Sequence, residues 1–228
     1  MNSILIITIA VVIFALAFDF INGFHDTANA IATSVSTRAL KPRVAVLLAA
    51  TMNFIGALTF VGVAKAIAKD IVDPMSLNAF DGDMTGSIVI LAALSSAITW
   101  NLLTWYFGIP SSSSHTLIGS IAGAAIAAAG FAILNYDGFG KILTALIVSP
   151  ILALSLGFIV MSLFKVLFKN LSLYKTNSRF RLLQIGTAAL QAFTHGTNDA
   201  QKAMGIITMA LLAGGLQDTG EVVRKSVV

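Results

Sequence analysis

Cysteine is absent from all 228 residues, which removes disulfides and thiolate metal sites from consideration. Charge is scarce as well: Asp, Glu, Lys and Arg make up 11% of the chain, against about 25% in an ordinary soluble domain. That deficit excludes a water-solvated globule. No Lys or Arg precedes the first apolar run, residues 4–18, and apolar character resumes beyond it. Ala15-Leu16-Ala17 resembles a cleavage site, but without a basic leader the run reads as a retained helix.

Apolar residues are what the chain has in plenty, at 57% of the sequence with a mean hydropathy of +0.90. A bilayer crossing takes roughly 20 such residues, and about six runs of that order recur, predicting an all-α, polytopic transmembrane bundle in one integrated domain. The formal charge of +4 does not imply a nucleic-acid partner, because the basic residues sit in short loops between apolar runs, where membrane topology accounts for them.

Against this background one polar stretch occurs twice. FINGFHDTANAIAT, Phe20 to Thr33, returns as FTHGTNDAQKAMGI, Phe193 to Ile206, without a gap. Phe20 aligns with Phe193, Gly23 with Gly196, Asp26 with Asp199 and Ala30 with Ala203. Such a pair points to a duplicated membrane transporter. On an unbroken helix, Asp19, Asn22, Asp26, Asn29 and Thr33 would share a face, with Asp19 near the helix end; Gly23 permits a break, as does His195-Gly196 in the second copy.

The remaining runs are read as spans over 44–68, 87–107, 117–134, 142–168 and 182–213. Asn53 suits an interhelical hydrogen bond, Gly108 ends the third span, and Pro150 should kink the fifth. Residues 70–83 form a polar loop in which Asp81-Gly82-Asp83 lacks the spacing of a calcium site and reads as solvated turn. Ile109-Pro110-Ser111-Ser112-Ser113-Ser114-His115-Thr116 predicts a helix start with Pro110 at the first helical position and hydroxyls as caps. Free N–H groups and a positive dipole there suit an anion, and the uncharged loop with apolar flanks suggests a re-entrant hairpin. Gly119 and Gly123 read as helix packing.

If every span crosses once, eight Lys or Arg fall in the loops after spans one and five, whereas those after spans two and four hold Lys65, Lys69 and Lys141. The basic side should then be cytoplasmic and the N-terminus outside, and the second motif enters from the face opposite the first. This inverted-repeat arrangement suits alternating access around a midplane site.

A carboxylate at membrane depth must be paired, protonated or used, since an isolated charge costs roughly 2.5–3.5 kcal/mol there. Asp26 and Asn29 offer oxygen ligands to a small hard cation, and His25 keeps proton chemistry open. Asp199 has Lys202 three residues on, where the first copy has Asn29. Lys202 suits a helical ion pair, an anionic substrate, or the place of a coupling cation.

GFHDTANA (Gly23 to Ala30), PSSSSHT (Pro110 to Thr116) and HGTNDAQK (His195 to Lys202), with the Trp100-Asn101 and Trp105 to Gly108 approach, closely resemble signatures of the PiT inorganic phosphate transporter family, bacterial branch. The resemblance extends over nearly the whole chain. It implies symport of phosphate, alone or as metal-phosphate, with Na+ or H+ by two inverted repeats in the cell membrane, with no further cofactor. Residues 1–168 would form the first repeat with its hairpin near 108–117, residues 169–181 a basic cytoplasmic linker, and 182–228 the start of the second repeat. By resemblance, Asp26, Asn29, Asn198 and Asp199 are cation ligands, Ser111, Ser112, Ser113, Ser114 and Thr116 form the hairpin tip for phosphate, and Gln201 and Lys202 match the bacterial second motif. Only 29 residues follow Asp199, too few for a second hairpin, so a completing C-terminal segment or a second copy is expected as partner.

Other classes fit less well. A sulfate carrier shares the scaffold type, but phosphate can donate a hydrogen bond to an ionised Asp and sulfate cannot. A serine hydrolase is disfavoured because Ser114 and His115 point about 100° apart on a helix and no nucleophile elbow surrounds them. A cation channel calls for a ring of acids in an oligomer.

Overall fold

The computed structural model describes residues 3–59, 71–72 and 84–216. The end of span two, Lys65, Lys69, most of the 70–83 loop and the polar tail from residue 217 lie outside the described residues. All regular structure among the described residues is helical: α1 (Ser3–Ser36), α2 (Pro42–Ala57), α3 (Thr85–Phe107), α4 (Ser113–Ala129), a 3-10 turn (Phe131–Ile133), α5 (Tyr136–Leu167) and α6 (Leu173–Ala213). Among them α1, α3 and α5 are long and apolar enough to cross a membrane. α4, at 17 residues, is shorter than the roughly 20 that a full crossing takes.

The two expected helix breaks are not there. α1 runs for 34 residues through Gly23 and α6 for 41 through His195-Gly196, roughly 50 and 60 Å of continuous helix. Glycine permits a break without requiring one. Among the described residues the glycines with positive φ are Gly108, Gly130 and Gly215, all outside the motifs. Gly196 serves packing instead: a Cβ there would collide with the Asn53 backbone, and one on Gly56 would collide with the Phe193 carbonyl. At these two positions α2 and α6 touch backbone to backbone. Ala30, Ile31, Ala45, Ala49 and Ala192 form a small buried cluster that lets α1 join them.

The larger core joins the opposite side of α1 to α3, α4 and α6. Phe18, Leu94, Leu117, Ile206 and Met209 are buried in it, with Ala93, Ala97, Ala122, Ala125 and Ala210 filling the narrow spaces between helices. Gly108, in the left-handed region at φ 64°, caps α3 with its N–H on Thr104 and Trp105 carbonyls, as its sequence position suggested. Pro110 is not at the first helical position. Residues 109–112 remain outside the helix, and Ser112 is the N-cap of α4, accepting from the His115 N–H. α4 ends at Ala129, short of the predicted 134, because Gly130 turns the chain at φ 77°. Asn135 then caps α5 by accepting from the Gly138 N–H at 3.1 Å.

α5 continues as helix on both sides of Pro150, and its most apolar stretch has no buried residue. Ile147, Leu154, Phe158 and Val166 all stand exposed, an outer face suited to lipid tails. α6 begins at Leu173, nine residues before the predicted 182, so most of the basic segment 169–181 is helical.

Candidate functional site

Three elements converge on the polar centre: the middle of α1, the middle of α6 and the first residue of α4. A four-residue step on an unbroken helix returns to the same face. It therefore places His195 beside Asp199, with its Nε2 2.9 Å from Asp199 Oδ2. The repeat-equivalent of His195 is Asn22, and its amide crosses from α1 to donate to the same Asp199 Oδ2 at 3.0 Å. The second Asp199 oxygen, Oδ1, lies 2.7 Å from Lys202 Nζ. Lys202 also donates to Ser113 Oγ at 2.9 Å, and Ser113 donates to Asp26 Oδ2 at 2.9 Å. A continuous chain, Asp199–Lys202–Ser113–Asp26, thus links the two motif copies through the start of α4. Asp26 Oδ1 is 3.1 Å from His25 Nδ1.

Lys202 is 5% exposed and Asn22 1%. A buried ammonium of this kind is tolerated because carboxylate and hydroxyl oxygens replace its water. One ligand atom each from Asp26, His195 and Asp199 lies within 4.8 Å of the others, and the Oδ1 of Asn22 is buried with no hydrogen-bond partner. The carboxylate oxygens and the Asn22 amide oxygen are ligand types that suit a hard cation.

On the side away from Ser113, a cavity of about 560 Å³ opens between α1, α2 and α6, with Asp19, Asn22, Asn53, His195 and Asp199 on its wall. Asp19 lies mid-helix on this wall and not near a helix end. Asn53 is the interhelical partner its position suggested, its Oδ1 3.1 Å from His195 Nδ1 while its Nδ2 donates to the Ala49 carbonyl.

Of the expected site residues, the structure brings together Asp26, Asp199, Ser113 and Lys202. Asn29 is exposed and makes no hydrogen bond among the described residues. Asn198 is exposed and donates to the Thr194 carbonyl of its own helix. On a continuous α6 it points about 100° away from Asp199. Ser112 pairs with His115 Nδ1 at 2.8 Å, Ser111 accepts from Trp100 Nε1 at 3.2 Å, and Thr116 donates to the Ser112 carbonyl. Ser114 is half-buried beside them. Gln201 is buried and donates to the Thr197 carbonyl on its own helix. Asn22 and His195 were not among the expected ligands, although both lie four residues before a motif aspartate. That spacing was the signal available, and it has meaning only on an unbroken helix.

The family model for the phosphate transporter family matches residues 22–227. A probable low-affinity inorganic phosphate transporter of Bacillus subtilis is 69% identical over 216 residues, covering 95% of this chain and 63% of that protein. A protein of the same description from Streptomyces halstedii is 40% identical, covering 84% of this chain and 87% of that one. Against several other relatives, the chain spans about half of their length. A solved sodium-dependent phosphate transporter superposes with a TM-score of 0.72 at 23% identity, over 97% of this chain and 70% of that one. At that identity the likeness concerns the fold.

Proposed function

Because the chain belongs to the phosphate transporter family, a family of carriers and not of enzymes, we propose that it builds the cation and phosphate centre of a secondary carrier. The carrier moves inorganic phosphate, free or as metal-phosphate, together with Na+ or H+ by alternating access. The observation that supports this most is the link from Asp26 through Ser113 to Lys202 and Asp199, which ties the start of α4 to both motif copies. The anion is met at the α4 N-terminus, where the first N–H groups and the Ser114 hydroxyl lie at the positive end of the helix dipole. Lys202 adds positive charge next to the Ser113 hydroxyl. The cation is met beside the Asp26 carboxylate, where Asp199 and His195 place ligand atoms within 4.8 Å. In this reading the N-terminus lies outside and the two motifs enter from opposite faces.

Uptake of radiolabelled phosphate into proteoliposomes tests this, with the 228-residue chain compared against a version continued by the remaining segment of the Bacillus relative. Sodium and proton gradients are applied separately. Phosphate accumulation driven by one gradient is the expected result. Correctly inserted protein that moves sulfate and not phosphate would overturn the substrate assignment, and flux without saturation would replace the carrier by a channel.

A further inference from the structure

The two motif copies differ at several positions, one of which replaces a neutral side chain by a fixed cation. Counted from each aspartate, the third residue on is Asn29 in the first copy and Lys202 in the second. Asn29 stands exposed, whereas Lys202 is 5% exposed with its ammonium between two oxygens, Asp199 Oδ1 at 2.7 Å and Ser113 Oγ at 2.9 Å. A carboxylate oxygen and a hydroxyl oxygen are the ligand types a monovalent hard cation takes. Ser113 has its hydroxyl hydrogen committed to Asp26, so it presents a lone pair to whatever lies on the Lys202 side. Asp26 has no lysine or arginine within ion-pair distance among the described residues; its partners are the Ser113 hydroxyl and His25.

We infer that Lys202 is a tethered coupling cation: its ammonium fills the place between Asp199 and Ser113 that a free sodium ion would otherwise occupy, leaving the Asp26 side as the exchangeable position. The inference rests on the carrier reading above and specifies its stoichiometry. A cation bonded to the backbone cannot be released on either side of a membrane. It stays for the whole cycle, and one mobile cation fewer is translocated per turnover than in a centre with two exchangeable positions. Its charge also remains beside the Ser113 hydroxyl after the mobile ion has left, so the α4 N-terminus keeps attraction for an anion in the emptied carrier.

The test is equilibrium binding of 22Na+ to the purified chain in lipid nanodiscs, with no phosphate present, for wild type, Lys202→Asn and Lys202→Arg. Lys202→Asn gives the second copy the residue of the first and opens the Asp199 position. At saturating sodium it is expected to bind two 22Na+ per chain where wild type binds one, and the gain should vanish in Lys202→Asn/Asp199→Asn. Lys202→Arg keeps the charge and should show no gain. Thermal unfolding in sodium chloride against choline chloride provides a second readout, with sodium stabilising Lys202→Asn more than wild type. A folded Lys202→Asn protein with wild-type sodium binding overturns the inference. So does a Lys202→Asn protein that fails to fold in sodium and choline alike, because sodium then does not replace the ammonium. Phosphate plays no part in the measurement, so a failure of phosphate uptake in the proteoliposome assay would leave its outcome readable on its own.

Discussion

The two halves of the repeat share a spacing and little else. Around Asp199 the helix packs tightly: His195, Asn22 and Lys202 all contact the carboxylate, and Gly196 presses on the α2 backbone. Around Asp26 the packing is looser. The carboxylate has Ser113 and His25, and no atom lies within 4 Å of where a Gly23 side chain would project. Identical spacing therefore produced two carboxylates of nearly equal exposure, 17% at Asp26 and 16% at Asp199, of which Asp199 alone is paired with a lysine. Duplication supplies positions, and the packing around each copy decides what they do.

That contrast can be broken at graded cost. Asp26→Asn should have the largest effect, loss of coupled phosphate uptake in proteoliposomes with the protein still inserted and folded; wild-type uptake by this variant would remove Asp26 from the cation site. Gly196→Ala comes next. Its new methyl has to displace the Asn53 backbone, and overpacking of this kind costs about 1–3 kcal/mol, read as a lower melting temperature in detergent. Ser113→Ala removes a hydroxyl worth roughly 1 kcal/mol, so apparent phosphate affinity should fall about fivefold; an unchanged affinity would restrict Ser113 to organising Asp26 and Lys202. The smallest effect belongs to Gly23→Ala. With open space and ordinary helical backbone at that position, it should raise the melting temperature slightly, by up to about 1 kcal/mol of stability. Opposite signs for Gly23→Ala and Gly196→Ala would establish that the repeat is asymmetric in packing; equal signs would mean that both glycines are there for the same reason.

Much of this was legible in the sequence. Charge scarcity and apolar runs gave the helical membrane class, and the duplicated motif singled out Asp26 and Asp199, the pair that the structure brings within reach of one another. Asn53 and Gly108 carried clear local signals, an amide in an apolar run and a glycine at its end. The helix breaks were not legible because Gly23 and Gly196 allow a break equally well, and only the position of α2 shows that Gly196 is needed for contact. Asn198, a ligand implied by the family resemblance, depends on that break. A broken helix would have freed Asn198 to turn toward the centre, while a continuous one directs it outward and presents the residue four positions earlier. The four serines were equivalent as text. Which one reaches the carboxylates depends on where α4 starts, and Ser112 takes the cap while Ser113 takes the site.

The paired contacts at Gly56 and Gly196 have a mechanical consequence. Two backbones that meet without intervening side chains have no cushion of rotamers to absorb sliding, and the Asn53 to His195 bond adds a polar pin between them. α2 and α6 therefore travel as one strut. A displacement of α6 carries α2 with it, whereas side chains intervene between this strut and the α3–α4 hairpin. There the Lys202 to Ser113 hydrogen bond acts as a latch between the two parts, while Ser113 is held in turn to α1 through Asp26.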